Sequence, residues 1–518
     1  MTTTMTTNGT AEALILLALL APAVVGMWLI LAGRELRART AGAVALAAAG
    51  IAFVATAAAI AGHSVVDRSW IGALGVHWAF GSDGISAPLL LLTAAIAVLV
   101  VVHGLRHLPE GGPPGLYFGL LLIVETGALA TFWARDLILF FIAFELVLIP
   151  MWLLIARFGD PHDSAARTAA AGRFVLYTAL GSTLMLAGIL VLAGAAGTTG
   201  MAALAMASLP AGVQFTAALL LVLGLAVKVP IFPLHSWLPP AHTIAPTGGS
   251  VLLAAVLLKM GTYGLIRLPV GLTPDGFARL APVLAVLGVV GIIWGGLICV
   301  VERDLKRLIA YSSVAHMGFV ALALASQTGL GVQAAQLTNV AHGVVSALLF
   351  VVVGGLKERW GSVDLAVLRP ALRERWPGLG FALITGLAGG VAVPGLATFW
   401  GEFFAISAAW DPRGTPAYIL ARGDLGGGWF DTGSPAAGSA VLRGCAVVAA
   451  VGAVLAAAYA LRVASLVWAG DAHPREPQGD LTRTELLVCG VLILAIIALG
   501  LFPYVVIPVL HPAFGALP

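Results

Sequence analysis

The chain has 518 residues, 60% of them hydrophobic and only 10% charged, with a formal net charge of +3. A soluble domain carries about 25% charged residues, so composition excludes a water-soluble globular protein and leaves a polytopic helical membrane protein. Strands are not expected to cross, because barrel strands alternate over roughly ten residues and the apolar runs here are twice as long and unbroken.

Met1 to Thr10 are polar and uncharged, and no basic residue precedes the first apolar run. That is not how a signal peptide begins, so the run is expected to remain as a first helix. Apolar runs of spanning length fall near 13–33, 41–62, 85–105, 115–133, 137–156, 173–196, 212–234, 247–268, 280–300, 305–325, 333–356, 379–410, 440–469 and 485–510, fourteen in all. The expected fold is all-α, a single transmembrane domain over residues 1–518. Glu12 and Glu485 open their runs and read as solvated carboxylates, favourable at a helix N-terminus. Connections after odd-numbered runs hold 17 Lys and Arg, Arg34 and Arg475 among them; those after even-numbered runs hold 7, including Arg422. By the positive-inside rule the odd side is cytoplasmic and both termini face outward, which in a bacterium means a multi-pass inner-membrane protein. Cys299, Cys445 and Cys489 each lie inside an apolar run without C-x-x-C spacing. They read as inert thiols, with no ligand set for a metal or iron–sulfur cluster, and there is no dinucleotide-binding or Walker motif. No cofactor is expected on this chain and no nucleic acid as partner.

Two runs carry breakers. The seventh reads Gly224-Leu-Ala-Val-Lys228-Val-Pro230-Ile-Phe-Pro233-Leu-His235, and the twelfth reads Gly386-Leu-Ala-Gly389-Gly390-Val-Ala-Val-Pro394-Gly395. Proline removes an amide donor, and in lipid the freed carbonyls need partners, so such breaks face protein or a hydrated cavity. The breaks lie five helices apart, and a repeat of odd length places its second copy upside down. Two inverted five-helix repeats follow as the expectation, helices 4–8 (115–268) and 9–13 (280–469), with two ordinary proline kinks as the plainer alternative.

The chain has 23 Arg and 4 Lys, and two of those lysines, Lys228 and Lys259, sit deep in runs seven and eight. Glu125, Glu145 and Glu402 lie inside runs four, five and twelve. One charge at the bilayer centre costs about 2.5–3.5 kcal/mol on insertion scales, so five such groups call for a use or a partner. Arginine keeps its proton, whereas a desolvated lysine beside a movable carboxylate can load and release one. His316 is about 16 Å into its run at 1.5 Å per residue, His342 is similarly deep, and His235 and His242 follow the break in run seven. Together they read as stations of a proton relay; static ion pairs and satisfied core histidines are the structural alternative. Glu125 reads equally as a relay member or as half of a structural pair.

These residues sit in strings that resemble the antiporter-like subunits of respiratory complex I. The strings are Phe140-Phe-Ile-Ala-Phe-Glu145-Leu-Val-Leu-Ile-Pro150-Met151, Ala226-Val-Lys228 through His242 with Ala245-Pro-Thr-Gly-Gly-Ser250 and Leu258-Lys259, and Arg303-Asp-Leu-Lys306 through His316-Met-Gly-Phe319. Within that superfamily the resemblance is to the subunit M family, equivalent to mitochondrial subunit 4. Gly401-Glu402-Phe403 carries an acid where the sister subunits L and N carry lysine, and no long lateral helix follows run fourteen. Phe399-Trp400 departs from the family's Asn-Phe. The resemblance implies a proton-translocating module of NADH:quinone oxidoreductase, with Glu145, Lys228, Lys259, His316, His342 and Glu402 as its relay and His235 alongside. It also implies flavin and iron–sulfur clusters on partner subunits, neighbours of types L and N, proton entry toward Lys228 and exit near Glu402. A subunit of a multi-subunit cation/proton antiporter or of a membrane-bound hydrogenase is the alternative of the same ancestry. A scaffold that only anchors catalytic subunits is the alternative of another class.

Overall fold

The computed structural model describes residues 9–32, 35–413, 438–471 and 479–506; both chain termini, Arg34, Arg422 and Arg475 lie outside the described residues. Helices follow the apolar runs because only a helix satisfies its own backbone in lipid. They are α1 (Gly9–Ala32), α2 (Ala38–Ala61), α3 (Ser86–Gly104), α4 (Pro114–Trp133), α5 (Leu137–Phe158), α6 (Ser164–Ala196), α7 (Ala211–Lys228), α8 (Thr247–Val270), α9 (Pro274–Val301), α10 (Leu305–Ala325) and α11 (Gly329–Trp360). The twelfth run is two helices in series, α12 (Pro377–Gly390) and α13 (Thr398–Trp410). The last two are α14 (Ser439–Ala469) and α15 (Arg483–Leu501). Thirteen helices are thus long and apolar enough to span on their own among the described residues, and the broken twelfth makes fourteen crossings.

Strand does occur outside the crossings. After α2 the chain forms an antiparallel hairpin of β1 (Val65–Ile71) and β2 (Val76–Gly81), turned at Gly75 with φ 61°. Its backbone pairs onward: Phe80 bridges Ala134, and Asp136 bridges Gly200. The hairpin and these two isolated bridges therefore tie together the connections after α2, α4 and α6, on what is called the hairpin face.

α4, α8, α10 and α11 are almost wholly enclosed, while α1, α2, α6, α14 and α15 leave most of their surface outside the core. Lipid offers no hydrophobic drive between helices, so close packing of small residues does the holding. At the α6–α7 crossing a Cβ on Gly181 would stand 2.8 Å from the Gly224 carbonyl, and one on Gly224 would stand 2.5 Å from that of Gly181. Gly288 and Gly318 repeat this between α9 and α10, at 2.8 and 2.4 Å. The first crossing fixes the helix that ends in Lys228, and the second fixes the helix turn that carries His316.

The two helix-opening glutamates are not free in water. Glu12 pairs with Arg68. Glu485 is buried, closes a capping box with Thr482, and accepts from both terminal nitrogens of Arg359 at 2.8 and 2.7 Å. Arg359 ends α11, so this carboxylate locks α15 to α11 instead of being solvated.

Candidate functional site

α7 stops at Lys228 because Pro230 and Pro233 bring no amide donors to the next turn. The break is internally satisfied in part: the Trp237 indole donates to the Val227 carbonyl at 2.8 Å. The chain resumes as a short helix, Leu238–Ile244. Lys228 is buried, its ammonium 5.0 Å from the centre of the Phe144 ring, and Gly261 of α8 makes room for its stem. Glu145 follows Phe144 in the chain and its charge acts on Lys228. No ion pair shorter than 4.0 Å joins the two residues. They are electrostatic neighbours without a direct bond.

α8 contains a π-helical stretch, Leu253–Leu257. Such a stretch offsets the carbonyl ladder and occurs often at functional sites. The Lys259 ammonium uses the offset: it donates to the Ala254 carbonyl at 2.5 Å and meets Nδ1 of His342 at 2.6 Å. On α11, His342 also has Ser346 Oγ 3.1 Å from its Nε2. The His342 and His316 rings stand edge to face, 5.3 Å between centroids. His316 Nδ1 then lies 2.8 Å from Glu402 Oε1. Lys259, His342, His316 and Glu402 are 0, 2, 5 and 4% exposed. They form one line through α8, α11, α10 and α13, with a ring contact at its middle step and hydrogen bonds at the two ends.

The line reaches Glu402 because α13 lies hard against α11. A Cβ on Gly401 would fall 2.7 Å from the Thr338 backbone nitrogen. The α12–α13 break is pinned by Thr398, whose hydroxyl donates to the Gly389 carbonyl at 2.5 Å and accepts from the Ala392 amide at 3.2 Å.

His235 stands off this line. It stacks on Phe232 at 5.4 Å, and its buried Nδ1 has no partner among the described residues. His242 stacks on Phe350 at 4.6 Å with both ring nitrogens likewise unpartnered, and its charged neighbours are Lys306 and Lys259. Glu125 is fully buried, and neither carboxyl oxygen has a partner among the described residues, so it is not half of an ion pair there.

Sequence reasoning missed two polar clusters. On the face opposite the hairpin, His107 Nδ1 sits 2.7 Å from Glu358, and its ring stacks on His103 at 4.5 Å. The Glu358 carboxylate raises the His107 imidazole above its ordinary value, more than partial burial lowers it. On the hairpin face, Asp83 accepts from Arg135 at 2.9 Å and from Arg267. Burial opposes the Asp83 charge, but the two guanidiniums outweigh it and hold the carboxyl well below the usual carboxylate range. The partners are 52 and 184 residues apart, a distance that no local pattern spans. No group of three or more His, Cys, Asp or Glu among the described residues is placed to hold a metal ion.

Comparison with known proteins gives a consistent picture. The family described as NADH:quinone oxidoreductase/Mrp antiporter, TM, matches residues 134–421. The chain is 38% identical over 444 residues to NAD(P)H-quinone oxidoreductase chain 4 1 of a Synechococcus species, covering 84% of this chain and 78% of that one. It is 34% identical over 460 residues to chain 4-1 of a Synechocystis species, covering 88% and 82%. A chain of respiratory complex I from Thermus thermophilus superposes with a TM-score of 0.82 at 29% identity, covering 97% of this chain and 98% of that one. A chain of the Mrp complex from a Dietzia species shares the fold at a TM-score of 0.80 and 20% identity, covering 98% and 97%.

Proposed function

The chain belongs to the NADH:quinone oxidoreductase/Mrp antiporter family, and from that premise we propose how it works as a proton-translocating, antiporter-like subunit of the membrane arm of an NADH:quinone oxidoreductase. Redox chemistry belongs to other subunits. Its relatives in the 34–38% identity range are quinone oxidoreductase chains, whereas the Mrp likeness is one of fold; this favours the respiratory reading over a cation antiporter or hydrogenase.

The observation that carries the mechanism is the Lys259–His342–His316–Glu402 line, hydrogen-bonded at its two ends and joined in the middle by the edge-to-face contact of the two imidazoles. An imidazole accepts a proton on one nitrogen and releases it from the other, so a proton leaving the Lys259 ammonium passes to His342, then across to His316, and onto the Glu402 carboxylate. Lys228 loads the line, with Glu145 as the charge that biases it. The hydrogen-bond gap from Lys228 to Lys259 is bridged by water held at His242, whose unpartnered nitrogens call for it. The two five-helix blocks, 115–268 and 280–469, act as inverted copies, each built around its broken helix. The hairpin face is the outer face, and sister subunits of types L and N flank the chain.

Glu402 supplies the test. Glutamine keeps a hydrogen bond to His316 but cannot take the proton, while aspartate keeps the chemistry with a shorter reach. Proton-transfer groups contribute about 10²–10⁴-fold to rates. NADH-driven proton uptake in vesicles, normalised to assembled complex, should fall at least about tenfold in Glu402→Gln and recover in part in Glu402→Asp. Wild-type uptake in an assembled Glu402→Gln complex overturns the assignment.

A further inference from the structure

Three amides on α11 have no role in that line. Gln333, Gln336 and Asn339 recur at three-residue spacing and are 3, 0 and 0% exposed. On each, one polar atom has no hydrogen-bond partner among the described residues: Gln333 Nε2, Gln336 Oε1 and Asn339 Nδ2. Residues three apart are neighbours on a helix face, so the amides form a ladder about 9 Å long at 1.5 Å per residue. A buried polar atom left unpaired is costly, and native proteins meet the need with ordered water.

The ladder has two definite ends. At the inner end, the Thr262 hydroxyl donates to Asn339 Oδ1 at 2.9 Å and lies 3.1 Å from the backbone carbonyl of Lys259, the residue whose ammonium makes its own bonds to Ala254 and His342. Toward the outer end, the middle amide, Gln336, donates to the Ile85 carbonyl, and the Ile85 backbone N–H donates to Asp83 at 3.0 Å. Asp83 is the carboxylate gripped by Arg135 and Arg267 on the hairpin face. Polar atoms therefore run from the backbone of Lys259 toward that face without passing through either His316 or Glu402.

We infer that the amide ladder of α11 holds a file of water that is a second proton branch, from Lys259 to the hairpin face beside Asp83. Amides do not carry the proton themselves; they orient the waters that do. The Lys259 ammonium gives its proton to the first water, is left as the neutral amine, and one proton leaves at the far end. A purely structural role explains the Gln336 bond to Ile85 but not an unpaired buried atom on each of three successive amides. The inference rests on Lys259 being a relay station.

The test is thiol accessibility in the intact complex. Single cysteines replace Gln333, Gln336, Asn339 and, as a control on a neighbouring buried position, Leu337. A small, charged, membrane-impermeant methanethiosulfonate is added to right-side-out and to inverted vesicles, with the parent complex as background for Cys299, Cys445 and Cys489. A hydrated branch labels the three amide positions at least tenfold faster than Leu337→Cys, from the hairpin face only, with Gln333→Cys fastest. Rates equal to the control, or labelling from the opposite face only, overturn it. If Gln336→Cys does not assemble, Gln333→Cys and Asn339→Cys carry the test. Asn339→Leu, which fills the file with methyl groups, should lower protons taken up per NADH at least twofold, and an unchanged ratio also overturns the branch. Glu402→Gln tests the relay separately, so a dry ladder and a failed relay are told apart.

Discussion

At the scale of single residues, Glu145 and Lys228 are instructive because they are not bonded. With the Phe144 ring under the ammonium, the carboxylate acts through its field, and a modest movement changes how strongly it does so. Glu145→Gln and Lys228→Ala should each abolish most proton uptake in assembled complex. Groups working as a unit are non-additive, so the double variant should be little worse than either single one. Losses that multiply would mean that the two act independently. Asp83 shows the opposite regime, a carboxylate gripped by two cations. Its folded value is depressed, so its contribution to stability is present above the ordinary value of about 3.9 and is lost only as pH falls through the folded one. Asp83→Asn leaves two guanidiniums without their counter-charge, and breaking such a pair costs about 3–5 kcal/mol. Thermal release of the subunit from purified complex should therefore come at lower temperature in the variant by the same margin at pH 5 and pH 7. A deficit that vanished at pH 5 would show that Asp83 is not held ionised.

At the scale of elements, the π-helical stretch in α8 decides where Lys259 points. Every residue in Leu253–Leu257 is apolar and buried, so nothing in the sequence pattern marks the extra residue. The stretch already absorbs one extra residue, so a further alanine inserted after Ala255 rotates one side of the helix relative to the other by about 100°. Lys259 would then leave His342, although hydropathy and length remain adequate for insertion. The complex should assemble and lose proton uptake to the level of a Lys259→Ala variant; full activity would mean that the bearing of Lys259 on His342 is incidental. A conventional helix substitution cannot make this separation, because it changes a side chain without changing register.

At the scale of the whole molecule, the proposed orientation is tested at described connections. A reporter inserted at 62–64 should read outside and one in the 362–366 connection should read cytoplasmic; the reverse overturns it. Most of the architecture was legible because bilayer thickness imposes one long apolar run per crossing, and Pro230, Pro233 and Pro394 announce their breaks. The residues of the proposed relay stood out for a related reason, since a Lys or Glu in an apolar run is costly. The hairpin at 65–81 was not, because it lies in a connection where composition carries no constraint. Neither was the Asp83–Arg267 contact, which only tertiary folding creates. The amides of α11 were visible as letters, but glutamine and asparagine break no rule of composition, so only their unpartnered atoms reveal them. The solvation expected of Glu485 failed because α11 delivers Arg359 to it.

The proposed relay line draws its four stations from four different helices, and successive stations never share one. Its tightest junctions are 2.6 and 2.8 Å long, and a hydrogen bond is gone by about 3.6 Å. The mechanical clearance is thus under about 1 Å, less than the 1.5 Å rise of a single helical residue. Helix shifts of about 1–2 Å are ordinary in switching proteins. A distant push on α10 or α13 could therefore make or break the circuit like a clutch, with no hinge, no lid and no change in the outline of the molecule.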